Sequence, residues 1–230
     1  MVMRGGGLGL AILGVGLAVS PTASAQQFSC PPDRRNETID GSLEVRGYCF
    51  IEKSTINGDV QVFKGGMIHI KSTYIDGSLI MDASDNLPIF LRLSDLLINQ
   101  DLIVDGRNAG YVEVDVLNSS IEGDLKAQDI IRLLVFDVSI GGMLDVEFVE
   151  NGTFIEKNDV DRNIRIFRAG RDVSVEDNKT SGDTVIIRTM SAASVRDNVI
   201  GGDLICLDNS RVLSEGNVVH GSKVGQCAGD

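Results

Sequence analysis

Apolar and polar residues alternate along most of this chain, and the alternation restarts about every twenty residues. The repeated unit is Ile-x-Gly-x-Leu-x-Val, as in Ile39-Asp-Gly41-Ser-Leu43-Glu-Val45, Ile56-Asn-Gly58-Asp-Val60-Gln-Val62 and Ile121-Glu-Gly123-Asp-Leu125. Its central residues are Gly41, Gly58, Gly77, Gln100, Gly123, Gly142, Arg162, Gly182, Gly202 and, in an imperfect last copy, Gly221. They lie 17, 19, 23, 23, 19, 20, 20, 20 and 19 residues apart. A second alternating segment sits nine and seven residues before the next centre, with apolar pairs such as Cys49/Ile51, Ile68/Ile70, Val114/Val116 and Val173/Val175. Period-two alternation predicts strands with one buried face. A coil of two or three short strands cannot close its own core, so each coil must stack on the next. The expected fold is therefore all-β, a single-stranded right-handed parallel β-helix (solenoid) of about ten coils with about 20 residues per coil.

No interval carries a helical pattern of ten or more residues, and beyond residue 25 proline occurs only at 31, 32 and 88, so a βαβ sheet is excluded. Four residues before the centre stand Asn158, Asn178, Asn198 and Asn217 in consecutive coils, where stacked amides hydrogen-bond along the axis and tolerate left-handed backbone. The central glycine marks a tight bend rather than a phosphate loop, because a strand and not a helix N-terminus follows it. The expected organisation is residues 1–25 as a signal peptide, 26–38 as an N-terminal cap, 39–207 as the solenoid, and 208–230 as the last coil and C-terminal cap.

The Gly-Asp-Leu/Val units in Ile56 to Val62 and Ile121 to Ala127 resemble those of bactofilin-like polymer-forming solenoids. The stretch Asn198-Val-Ile-Gly-Gly-Asp-Leu-Ile-Cys206, followed by Gly216-Asn-Val-Val-His-Gly221 and Gly225-Gln-Cys227, is similar to the tails of secreted bacterial β-helix proteins. This resemblance spans residues 39 to 227 and implies a fold rather than an activity. Bactofilins are cytoplasmic and lack an export signal, and here this chain departs from them.

The N-terminus changes the expected address. Arg4, an apolar run from Leu8 to Val19 and the small-x-small sequence Ala23-Ser24-Ala25 form an export signal cleaved before Gln26, too short and glycine-rich to span a bilayer. The four cysteines fall in two pairs, Cys30 with Cys49 and Cys206 with Cys227, 19 and 21 residues apart, which is close to one coil. They are expected to form disulfides closing the two ends in a secreted or periplasmic protein. The net charge of −12 disfavours nucleic acid and anionic membrane, so neither is an expected partner, and no membrane insertion is expected after signal cleavage.

Catalytic signals are thin. Polysaccharide-active β-helices build clefts from long loops, whereas no interval here exceeds 23 residues. The chain has no Trp and only Tyr48, Tyr74 and Tyr111 as tyrosines, which argues against sugar platforms. Its two histidines, His69 and His220, lie in coils at opposite ends. The candidate carboxylate site is Asp82 and Asp105 in one register, with Asp85, Asp95, Arg92 and Arg107 in the same coils, a set suited to an acid/base pair or to Ca2+. The column Asp59, Asp101, Asp124, Asp183 and Asp203 is expected to end strands and hydrate corners.

The candidate interaction site is Val185, Ile187, Ile205 and Leu207, outward on two adjacent rungs, with Ile80 and Ile103 as a smaller pair. A competing expectation is that residues 208–230 fold back over the larger patch as a cap. Two function classes remain: a non-catalytic secreted or envelope protein acting by self-association or with an extracellular partner, and a carbohydrate-active or glycan-binding β-helix. No cofactor is required by the first.

Overall fold

A computed structural model of the chain describes residues 27–82, 87–107 and 110–229. The expected signal segment 1–25 and Asp85 lie outside the described residues. The fold is an all-β parallel solenoid of about nine turns with about 20 residues per turn. Its helical content among the described residues is one 3-10 turn, Gln226–Ala228.

Each coil has three strands rather than the two that the alternation marks. The repeat isoleucine and the residue before it form a separate two-residue strand, such as Thr55–Ile56 or Ser120–Ile121, and these strands stack into a narrow ten-stranded sheet. After the bend comes a first wide face, for example Leu102–Asp105 and Thr184–Ile187, and then a second wide face, for example Pro88–Ser94 and Val173–Glu176. Two long strands, Leu125–Phe136 and Leu144–Glu156, run round the corner without a break and join the wide faces into one nineteen-stranded sheet.

All strand pairs are parallel, and each repeat position falls on its counterpart one coil away: Leu102 on Leu125, Leu125 on Leu144, and Ile121 on Ile140. The inward positions are nearly inaccessible and mostly aliphatic, with Thr153, Thr180, Thr184 and Ser214 as the polar members, so the core is one continuous column of ladders.

The asparagine column forms a continuous amide ladder. Asn158 Nδ2 donates to Asn178 Oδ1 at 2.9 Å, Asn178 Nδ2 to Asn198 Oδ1 at 3.0 Å, and Asn198 Nδ2 to Asn217 Oδ1 at 2.9 Å. Each of these amides also donates to a backbone carbonyl of the preceding coil, at Val135, Ile155 or Val175. The left-handed residue is not the asparagine itself. It is the residue before it, Lys157, Asp177 and Asp197, with φ of 58°, 57° and 53°. The same corner in earlier coils places Lys53, Ser72, Asp95 and Asn118 at positive φ.

The acidic column binds backbone. Asp59, Asp101, Asp124, Asp183 and Asp203 each accept an N–H from the next coil at 2.7 to 2.9 Å, from Ser78, Asp124, Met143, Asp203 and Ser222 respectively. This explains the central glycine better than bend conformation does. A Cβ on Gly77, Gly123, Gly142, Gly202 or Gly221 would strike both the aspartate carboxylate and the backbone of the preceding coil, one on Gly182 would strike Asn163 and the Arg162 carbonyl, and one on Gly58, which follows Ser42, would strike the backbone of Gly41. The two coils without glycine, at Gln100 and Arg162, follow Ser78 and Met143, which send no such carboxylate downward.

Gly142→Ala is therefore expected to destabilise by about 2 kcal/mol through overpacking. Adding Asp124→Ser should restore part of that loss, whereas additive or worse losses in urea titrations would refute the steric pairing.

Candidate functional site

The carboxylate candidates converge in part: Asp82, Asp105 and Arg107 lie together, whereas Arg92 and Asp95 do not join them. Asp82 and Asp105 are stacked partners at the outer end of the first wide face, and Asp105 accepts from Arg107 Nε at 2.8 Å. Partial burial pushes the Asp105 carboxyl up, but hydrogen bonds from the Arg107 side chain and backbone outweigh it and hold the group below the ordinary range. Asp129, beyond the next rung, is pushed up by burial and by the charge of Asp105. Arg92 belongs to the second wide face, stacked on Asp115 with its Nε 3.8 Å from that carboxylate. Asp95 is a left-handed corner residue with φ of 56°.

Among the described residues, no group of three or more His, Cys, Asp or Glu is placed to hold a metal ion. His69 packs edge-on against Phe50 with ring centroids 4.9 Å apart, and its pKa is lowered by burial and by Arg92 and Lys71.

The interaction candidates do converge. On the first wide face Val185 stacks on Ile205 and Ile187 on Leu207, while the inward positions beside them, Thr184, Ile186, Leu204 and Cys206, are buried. The apolar surface is larger than the four residues read from sequence. Phe167 stacks on Ile187, Val224 continues the Val185–Ile205 column, and Phe148 packs edge-on against Phe167 at 6.5 Å. Met190, 79% exposed, stands at the adjoining corner beside a depression of about 570 Å³ lined also by Phe148 and Arg168.

Phe167 and Val224 obey the same register rule, five and three residues after the centre, so the repeat alignment already contained them. Phe148 and Met190 lie at corners, where no alternation points to them.

Arginines frame this surface. The Arg168 guanidinium lies 5.0 Å from the Phe148 ring centre and 4.8 Å from that of Phe167, and Arg188 lies 5.7 Å from Phe167. Such stacking leaves the charge at the rim while covering aromatic area.

The tail does not fold back across the patch. Lys223–Gly225 adds a further rung beneath Leu204–Cys206, and the Gln226–Ala228 turn then passes under the end of the stack. There Gln226 brackets Asn209, accepting its N–H at 2.8 Å and donating to its carbonyl at 2.7 Å. Cys227 is fully buried and bonded to Cys206, with Cα atoms 5.4 Å apart, and at the other end Cys30 is bonded to Cys49 at 5.8 Å. Leu207 remains 39% exposed and Val224 38%.

A second exposed strip departs from the expectation drawn from tyrosine count alone. At the corner of the early coils Tyr48, 75% exposed, neighbours Met67 and Phe90, and Phe90 lies 5.7 Å from Tyr111. The depression beside it, about 280 Å³, is lined by Gly65, Gly66, Leu87 and Pro88 and by no carboxylate or amide side chain. The depression itself offers no such group, but beside it the Glu113 carboxylate stacks on Phe90 and accepts a hydrogen bond from the Tyr111 hydroxyl.

A groove of about 800 Å³ is an open furrow along the narrow face between Ser72 and Asp159, bordered by hydroxyls and by Asp95, Asp137 and Lys157. No helix among the described residues is long and apolar enough to cross a membrane. The two disulfides fit an oxidising extracellular or periplasmic setting. No family model, curated protein or solved structure matches the chain, so it is the solenoid itself that is established.

Proposed function

We propose that this chain is a non-catalytic protein of the bacterial periplasm or cell exterior that acts by presenting a rigid face to another macromolecule. The observation that carries this reading is the apolar surface of Phe167, Val185, Ile187, Ile205, Leu207 and Val224, framed by Arg168 and Arg188 on an inflexible sheet. Clustered outward apolar residues mark interfaces, and arginine and aromatic side chains are the residue types that such interfaces favour. Stacked strands with short corners give a surface already ordered, so binding costs little conformational entropy. The export signal and the paired cysteines support the address.

A photo-crosslinking residue at position 187 is expected to give discrete protein adducts in the native host, and Val185→Lys with Ile205→Lys should abolish them. A folded protein that gives no adduct at that position would overturn the reading.

The exposed Tyr48, Phe90 and Tyr111 strip favours a second reading, glycan binding. Retention on immobilised cell-wall polysaccharide that Tyr48→Ala removes would favour it, and retention unaffected by that change would end it.

A further inference from the structure

Each arginine from Arg34 to Arg132 stands within 3.8 Å of a carboxylate. In the late coils that rule lapses: among the described residues Arg162, Arg168, Arg171, Arg196 and Arg211 stand in no ion pair. Of these only Arg168 is held against aromatic rings, 5.0 Å from the centre of Phe148 and 4.8 Å from that of Phe167. It occupies the corner with φ of 56°, and its guanidinium donates no hydrogen bond within the chain. A cation restrained by two rings, with its N–H groups unused, is ready for a carboxylate from outside.

The same corner lacks a side chain where one would fill it. The Gly170 N–H donates to the Val149 carbonyl and the Met190 N–H to the Ala169 carbonyl, which stacks Gly170 between Glu150 and Met190. The depression of about 570 Å³ opens there, with Phe148 and Met190 as its apolar lips and Arg168 and Arg171 as its cations. A Cβ on Gly170 would lie 2.0 Å from the Glu150 carbonyl oxygen, so the gap is built into the backbone. Glu150 is the one carboxylate on the lining, against two guanidiniums, in a chain whose net charge is −12.

We propose that the Arg168 corner receives an acidic segment of a partner protein, with a bulky apolar side chain over Gly170 and a neighbouring carboxylate on the Arg168 guanidinium. This rests on the interaction-module reading above and names the chemistry of its partner. The depression adjoins the apolar surface, since Phe148 packs against Phe167 and Arg168 lies against both rings. An apolar anchor in a pocket and charge-assisted hydrogen bonds beside it then belong to one interface.

A basic segment would meet two guanidiniums instead, and a neutral one would leave the Arg168 N–H groups to water. Because the rings already restrict Arg168, the carboxylate bond costs little side-chain entropy. A glycan fits less well, because Glu150 and Ser191 are the only side chains on the lining that accept from hydroxyls.

The chain has no Trp, so a ligand indole is the only one in solution. The test titrates the full chain from Gln26 into the blocked tripeptides Glu-Trp-Glu, Gln-Trp-Gln and Lys-Trp-Lys and follows indole emission, with circular dichroism on each variant as the control for folding. Glu-Trp-Glu is expected to shift to the blue and saturate with a dissociation constant below about 1 mM, at least about tenfold tighter than Lys-Trp-Lys. Arg168→Gln should weaken Glu-Trp-Glu about tenfold and leave Gln-Trp-Gln unchanged, a split that a purely structural arginine would not give. Arg168→Lys should fall between, because it keeps the charge without the fork. Met190→Ser should weaken both peptides alike.

No saturation by Glu-Trp-Glu, equal affinity for the three peptides, or indifference to Arg168→Gln would overturn the proposal. Indole-3-propionate binding as tightly as Glu-Trp-Glu would assign the corner to a small aromatic acid. A mass doubling of the chain alone in sedimentation velocity, reversed by Glu-Trp-Glu, would assign it to a second copy. Either result overturns the acidic partner. If the corner fails while position 187 still gives protein adducts, the interaction reading survives. If neither occurs, both fail.

Discussion

Leu125→Asp is expected to unfold the solenoid, or to leave it folded only well below room temperature. Leu125 is 1% exposed and sits between Leu102 of the coil before and Leu144 of the coil after. An aspartate there loses the aliphatic contact and buries a charge with no partner, together costing about 5 kcal/mol or more. Net stabilities of domains are of that same order, so the β circular dichroism signal should be lost. The next residue is the control. Lys126 faces outward, and Lys126→Asp should keep the β spectrum. A folded Leu125→Asp protein would mean that the inward and outward columns are interchanged.

Asn178→Leu should produce the second large loss. The Asn178 side chain accepts from the backbone N–H of Asn158 at 3.0 Å and from Asn158 Nδ2, and it donates to Asn198 Oδ1 and to the Ile155 carbonyl at 2.8 Å. Leucine removes all four, and the Asn158 N–H and the Ile155 carbonyl are left inside the corner without water. At about 1–3 kcal/mol for each stranded group, the expected destabilisation is about 3–5 kcal/mol. Asn178→Asp makes a sharper probe, because it retains the acceptor for Asn158 but aims a carboxylate at two oxygens. It should fall at least as far as leucine in thermal melts. A loss below about 1 kcal/mol for either variant would show that the column is decorative.

Much of this architecture is legible in the residues one at a time. Alternation with a fixed return names which side chains face inward, because successive residues of a strand point to opposite faces, and a parallel stack repeats that choice from coil to coil. Cys30, Cys49, Cys206 and Cys227 could be paired because their spacing is about one coil. Phe167 and Val224 were within reach by the same rule. The narrow third strand was not separated from the bend that follows it, since two residues carry no periodicity of their own.

Local sequence alone determined the inward ladders, the length of a coil and the stacked amides, because each depends on a periodicity that survives without knowing where the chain turns. Tertiary structure alone decided what the corners do. The aspartate after the bend looks solvated in sequence, yet its carboxylate holds the next coil's backbone and dictates glycine there, an interaction between residues about twenty apart. It also decided that Arg92 leaves the Asp82 and Asp105 column for another face, and that the tail closes the end of the stack instead of its side. Those outcomes depend on corner angles set by left-handed residues such as Asp129, Phe148 and Arg168, three unrelated side chains with φ between 53° and 56°. Aspartate and asparagine supply nine of the fifteen left-handed non-glycine residues among those described, but Phe148 and Arg168 take the same conformation because neighbouring coils hold them there.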